Sequence, residues 1–147
     1  MTIEIISYAA FGPLKFDQTT KGECVRLLGE PIKKRTNSKG VDEYEYQQFI
    51  VRFNPKESTV RECTLLPYED ATINGIAVTW NLNFLRLLCE QDQSPRVVYG
   101  FVVFQRLGIA VTGIHDGDES QLAVTAFLKG EFNDLLPKSV PYVFSPG

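Results

Sequence analysis

A single histidine, three cysteines, one tryptophan and one methionine are all that 147 residues contain of these types, and the shortage bounds the chemistry open to the chain. Cys–His and Ser–His mechanisms need an imidazole set against a nucleophile. His115 is the one imidazole available, and it stands beside Asp116-Gly117, where an exposed turn residue is expected. Cys24, Cys63 and Cys89 lie far apart and lack the close-spaced Cys/His pairs of a structural zinc site. Their odd number points to reduced core thiols in a cytoplasmic protein rather than to a disulfide framework. Asp116-Gly117-Asp118-Glu119 holds a fragment of a calcium loop without the spaced ligands and terminal Glu of the full motif. Neither a Gly-Lys-Ser/Thr phosphate loop nor a Gly-x-Gly-x-x-Gly after a strand occurs. The expectation is therefore no metal, no cofactor and no catalytic set. Paired carboxylates stay open, because their pairing depends on the fold.

Long apolar runs are missing too. Nothing approaches the ~20 residues needed to span a bilayer, and Met1 to Tyr8 has neither the basic leader nor the apolar stretch of a secretion signal. No membrane association is expected. Excess positive charge is likewise absent: 15 Lys and Arg stand against 18 Asp and Glu, for a net charge of -3. A surface that neutralises many phosphates needs the opposite balance, so a nucleic-acid partner is not expected. The one basic run, Lys33-Lys34-Arg35, has no interleaved aromatics and is assigned to a solvated loop.

What the chain does contain is an internal echo. Arg26-Leu27-Leu28-Gly29-Glu30 returns as Arg86-Leu87-Leu88-Cys89-Glu90, each copy after a Gly-led apolar segment and before strand-like runs. Thr20 with Glu23 forms a capping box that opens the first helix, and Gly29 followed by Pro31 closes it. Asn81 caps the second, with Phe84, Leu85, Leu87, Leu88 and Cys89 as its buried stripe and Ser94-Pro95 as its end. The period then changes from about 3.6 to 2. Strands are predicted over Tyr44 to Gln48, Phe49 to Phe53 and Val60 to Leu66, and again over Val97 to Phe104, Ile109 to Ile114 and Leu122 to Phe127. Asp116-Gly117 supplies a hairpin signal between the last two. Each unit reads β-α-β-β-β, with coincidence between two Leu-rich helices as the alternative to duplication.

The composition, 44% apolar and 12% aromatic, suffices for one core. The expected architecture is α+β: one domain over 1–147, with repeats at about 3–67 and 72–128 forming a curved antiparallel sheet with helices on one face. A Pro-punctuated strap over 129–147 would lay Tyr142, Val143 and Phe144 along an edge.

Binding residues are sought where aromatics and acids coincide. Tyr44 and Tyr46 share a strand face with Asp42; Tyr68 precedes Glu69-Asp70; His115, Asp116, Asp118 and Glu119 cluster in one turn. Tyrosine gives large contact area at low entropic cost, and acidic clusters steer a basic partner. Trp80, between an apolar strand and a helix cap, is expected in the core.

The local run Cys24-Val25-Arg26-Leu27-Leu28-Gly29-Glu30-Pro31, followed by Tyr44-Glu45-Tyr46 and Phe49-Ile50-Val51-Arg52-Phe53, resembles the beta-lactamase inhibitor protein family and the smaller SmpA-type lipoprotein modules. Those inhibitors are exported and use disulfides, whereas this chain shows no leader and an odd cysteine count. The resemblance implies a sheet used as a binding platform. In size and acidity the chain is also similar to bacterial immunity proteins, which neutralise a toxin by occluding it. The expected function is accordingly a non-enzymatic inhibitor or immunity protein for a cytosol-acting toxin or enzyme, with a homodimeric assembly module or a small-ligand binder as alternatives.

Overall fold

The computed structural model describes residues 2–145; Met1, Pro146 and Gly147, the last two being the end of the expected strap, lie outside the described residues. Both helices begin where their caps dictate. In α1 (Lys21–Leu28) the Thr20 hydroxyl accepts from the Glu23 N–H, the Glu23 carboxylate accepts from the Thr20 N–H, and Gly29 ends the helix at φ 85°. In α2 (Leu82–Gln91) the Asn81 side chain accepts from the Phe84 N–H. The helices bury unequal faces: α1 only Cys24, α2 Phe84, Leu85 and Leu88.

Among the described residues there are fourteen strands: β1 (Ile3–Ile6), β2 (Ala10–Phe11), β3 (Leu14–Lys15), β4 (Lys33–Thr36), β5 (Asp42–Glu45), β6 (Phe49–Phe53), β7 (Val60–Leu65), β8 (Ala71–Ile73), β9 (Ile76–Ala77), β10 (Arg96–Val98), β11 (Phe101–Phe104), β12 (Ile109–Thr112), β13 (Ala123–Phe127) and β14 (Val140–Pro141). Nine of them form an antiparallel sheet in the order β14-β10-β11-β12-β13-β7-β6-β5-β4, and five form a smaller sheet, β3-β2-β1-β8-β9, with a parallel β1–β8 pair. The fold is α+β. Both halves run through the same order, a hairpin (β2–β3 or β8–β9), a helix, and then a four-strand meander (β4–β7 or β10–β13). The meanders meet at the β7–β13 seam, where Thr64 lies opposite Thr125.

Several details depart from the sequence expectations. Val97 to Phe104 is a hairpin, not one strand, because Tyr99 and Gly100 both take left-handed backbone (φ 47° and 82°), the geometry of a tight two-residue turn. Lys33-Lys34-Arg35 belongs to β4 at the edge of the large sheet rather than to a loop. This raises each meander to four strands. Asp116-Gly117 does not join two strands directly; it sits in a loop over residues 113–122 that includes a short 3-10 turn, Glu119–Gln121. The Gly-led segments ahead of the helices fold back as the second strands of hairpins, β2–β3 and β8–β9, and β2 and β8 flank β1 to build the second sheet. The tail is a strap only at its end: a 3-10 turn at Leu136–Lys138 precedes β14, and then Tyr142 and Phe144 pack on the core while Val143 stays exposed.

The main core lies between the small sheet with the helices and the inner face of the large sheet. Alternate residues supply it, Ile3 and Ile5 from β1, Phe49, Val51 and Phe53 from β6, Ile109 and Val111 from β12. Phe11 meets Phe49 edge to face at 5.2 Å, one contact that links the two sheets. On the outer face of the large sheet, Val98, Val103, Ala110 and Phe127 form a second cluster, sealed by Phe132 from the tail. The other half of that outer face, over β4 to β7, is charged. Among the described residues no helix is long and apolar enough to cross a membrane.

Candidate functional site

The pairing register decides which expected binding residues share a place. Phe49 pairs with Leu65, and Leu65 with Val124. The β5–β6 turn, the β7–β8 loop and the 113–122 loop therefore leave the large sheet at the same end. Tyr46, Tyr68, Glu69, Asp70, His115, Asp116, Asp118 and Glu119 belong to that end or to loops springing from it. Asp42 starts β5 at the opposite end, and Tyr44 lies mid-strand.

Not all of them face outward. Tyr44 and Tyr46 turn to the inner face, where Tyr44 stands against Phe53 at 4.7 Å and Tyr46 against Phe49 at 5.5 Å. The Tyr46 hydroxyl donates to the Gly29 carbonyl at 3.0 Å and meets Cys24 Sγ at 3.6 Å; burial, helped by Cys24, pushes its pKa up. The Tyr46 ring thus helps tie β5 to α1, whereas Tyr44 packs between Phe53 of β6 and Lys34 of β4. Asp42 is paired with Lys21, and hydrogen bonds from Lys21 and then Thr36 lower its pKa. His115 packs edge-on against Tyr142 at 5.9 Å, with Nδ1 buried and unpartnered.

Tyr68 is the one outward aromatic of the expected set. It is 67% exposed, and its backbone is left-handed at φ 66°. Trp80, half-buried, is also left-handed at φ 58°, and the two rings lie 6.2 Å apart. A bulky side chain in this region costs about 1–2 kcal/mol, and such conformations persist where the surroundings enforce them. Here the indole N–H donates to the Glu69 carbonyl at 3.0 Å, and the Asn81 cap follows Trp80 directly. Glu69 accepts from the Gln48 side chain at 3.0 Å, and Asp70 accepts from Thr2 at 2.7 Å. The loop thus holds two carboxylates beside an aromatic pair.

A second place carries a closely tied set of polar groups. The outer face of β5 to β7 and β13 floors a cleft of about 750 Å³ between the β4–β5 hairpin and the tail. Glu43, only 4% exposed, takes Arg35 Nε and Arg52 Nε at 2.6 Å each and Asn37 at 3.4 Å. Burial would push this carboxyl up, but the hydrogen bonds and charge of Arg52, with Arg35 and Asn37, outweigh it and hold its pKa below the usual value. Arg52 Nη1 reaches on to Glu62 at 3.2 Å and Thr64 at 2.7 Å, and Thr64 meets Thr125 at 2.9 Å across the seam. From the tail, Glu131 receives a two-point contact from Arg61 at 2.6 and 2.7 Å. Glu62 differs from its neighbours: burial, then the adjoining Glu131, push its pKa up to about 7. A carboxyl poised near neutrality in a cleft is a mark of functional sites.

Sequence reasoning did not single out Arg52, Arg61, Glu62 or Glu131. The alternation in Phe49-Ile50-Val51-Arg52-Phe53 does put Arg52 on the polar face. No local pattern announces Glu131, which reaches Arg61 across 70 positions. Among the described residues no group of three or more His, Cys, Asp or Glu is placed to hold a metal ion. No protein-family model, curated protein or solved structure matches this chain.

Proposed function

We propose that this chain is a protein-binding inhibitor of the immunity type, which works in the cytoplasm and occludes a toxin or enzyme by docking the Tyr68–Trp80 end of its large sheet on it. The observation that supports this most is the exposed Tyr68 ring, held beside Trp80 by two left-handed bulky residues and flanked by Glu69 and Asp70. Tyr and Trp dominate binding hot spots because they desolvate a large rigid surface at little entropic cost. The carboxylates suit a basic target: a Lys or Arg side chain laid on the rings gains cation–π attraction as well as ion pairing. Asp116, Asp118 and Glu119, on a loop from the same end, extend the acidic field and speed encounter with such a target.

The test is co-expression with the product of the adjacent reading frame in the source genome. A one-to-one complex that suppresses toxicity is expected. Tyr68→Asn should then weaken it by about 2 kcal/mol or more, roughly thirtyfold. Asn is chosen because it tolerates left-handed backbone, so the variant should fold as well as the parent. A complex indifferent to Tyr68→Asn would overturn the docking surface, and a chain that forms no complex would overturn the inhibitor reading.

A further inference from the structure

Neither Tyr68 nor Trp80 lines the outer-face cleft, which supports a ligand site of its own. Three carboxylates line it, and two are fully served: both Glu43 oxygens accept from Arg35, Arg52 and Asn37, and both Glu131 oxygens accept from Arg61. Glu62 has one donor, Arg52 Nη1, which it shares with Thr64 while Arg52 Nε is committed to Glu43. The Glu62 carboxyl also meets that of Glu131, and two carboxyls make such a contact only while one of them holds a proton. Arg52 and Arg61 offset its charge in part, but burial and Glu131 outweigh them, so an ionised Glu62 is under-compensated. Lys39, on the exposed β4–β5 hairpin, is the remaining charge on the rim.

A cationic hydrogen-bond donor completes such an arrangement. It takes the place of the proton between the two acids and offsets their repulsion once Glu62 ionises. The lining offers a second attraction of the same sign, since Phe101 and Phe132 border the cleft as an edge-to-face pair at 5.6 Å. Aromatic faces draw cations, and their apolar surface suits a hydrocarbon stem. The volume lies within the range of small-molecule sites.

We propose that this cleft binds an organic cation, a primary amine or guanidinium on a short apolar stem, with the charged head donating to Glu62 and the stem lying on Phe101 and Phe132. Binding replaces the proton that Glu62 holds near neutrality, and that proton leaves to solvent. Arg52, Arg61, Glu43 and Glu131 stay paired as they are.

The experiment is calorimetric titration of the full chain with agmatine, with the tripeptide Gly-Arg-Gly and with acetate, from about pH 6 to about pH 8.5 in two buffers of different ionisation heat. Agmatine or the tripeptide should bind about tenfold more tightly at the upper pH, and release close to one proton at the lower, because a group titrating near 7 must ionise to receive the cation. Agmatine binding marks a free small molecule as the source of the head group; binding of the tripeptide alone marks an arginine side chain of a protein. Glu62→Gln should weaken binding at least tenfold and flatten its pH dependence. The proton release is read on the unaltered chain and does not depend on the variant folding. Acetate preferred over both cations, binding without proton release, Glu62→Gln binding as the parent does, or no heat at millimolar agmatine and tripeptide would each overturn the proposal.

Discussion

Gly113 marks the point where β12 gives way to the loop over residues 113–122, and replacing it with alanine tests how tightly that loop is seated. Its φ is 86°, and a methyl group there would lie 2.6 Å from the Leu122 nitrogen, 2.7 Å from the Asp118 carbonyl oxygen and 2.8 Å from the Leu122 Cα. All three are backbone atoms, so no side-chain rotation relieves the overlap. The loop must shift, and it carries Ile114 and Leu122, both buried in the main core. Left-handed backbone costs alanine about 1–2 kcal/mol, and forced overpacking adds about 1–3 kcal/mol. The sum, about 2–5 kcal/mol, corresponds to a Tm lower by roughly 6–15 °C for a chain of this size. Gly117 in the same loop is the comparator: its φ is 68°, but nothing lies within 4 Å of an added methyl. Gly117→Ala should therefore show the backbone penalty alone, a fall of roughly 3–6 °C. Thermal unfolding followed by near-ultraviolet dichroism, backed by urea titration, reads both. Equal melting of the two variants would refute the reasoning, because the close approach at Gly113 would then contribute nothing.

Leu88 is fully buried and Leu27 is 48% exposed, although both stand in the echoed Arg-Leu-Leu run. Urea unfolding should show Leu88→Ala losing about 2–5 kcal/mol and Leu27→Ala within about 0.5 kcal/mol of the parent. Glu43 has a lowered pKa in the folded state, so its contribution is complete above the unfolded value and disappears as pH falls through the folded one. The deficit of Glu43→Gln, measured by urea titration along the acid limb, should accordingly shrink as pH falls; a constant deficit would contradict the pairing. For Glu62 the sign reverses: its raised pKa favours folding below the unfolded value, and this advantage is lost as pH rises through about 7. Glu62→Gln should gain in Tm on the parent between pH 5 and pH 8.5, and parallel curves would sink that account.

Local chemistry was legible in the sequence wherever it acts over a few residues. The Thr20–Glu23 box, the Asn81 cap and the Phe49–Phe53 alternation need no distant partner, and each appears as expected. Tyr99-Gly100 was missed because an exposed tyrosine in left-handed backbone breaks an apolar run that otherwise reads as one strand. Lys33 to Thr36 was missed for a different reason. All four residues are exposed, so the strand has no buried alternation, and it exists through its pairing with β5. The site divides in the same way. Tyr68, Glu69 and Asp70 are contiguous and were found together. The cleft is assembled from β5, β6, β7, β13 and the tail, and whether Glu62 is paired or short of a partner depends on register and on residue 131.

A large open sheet has two margins, and in this molecule both discourage recruitment of another strand. One margin is β14, two residues long and containing Pro141, whose missing N–H leaves a gap in any new ladder. The other is β4, whose Lys33, Lys34 and Arg35 would meet their own kind if two copies approached edge to edge. Polymerisation by strand addition is thus resisted at either border, and self-association would have to use some other surface.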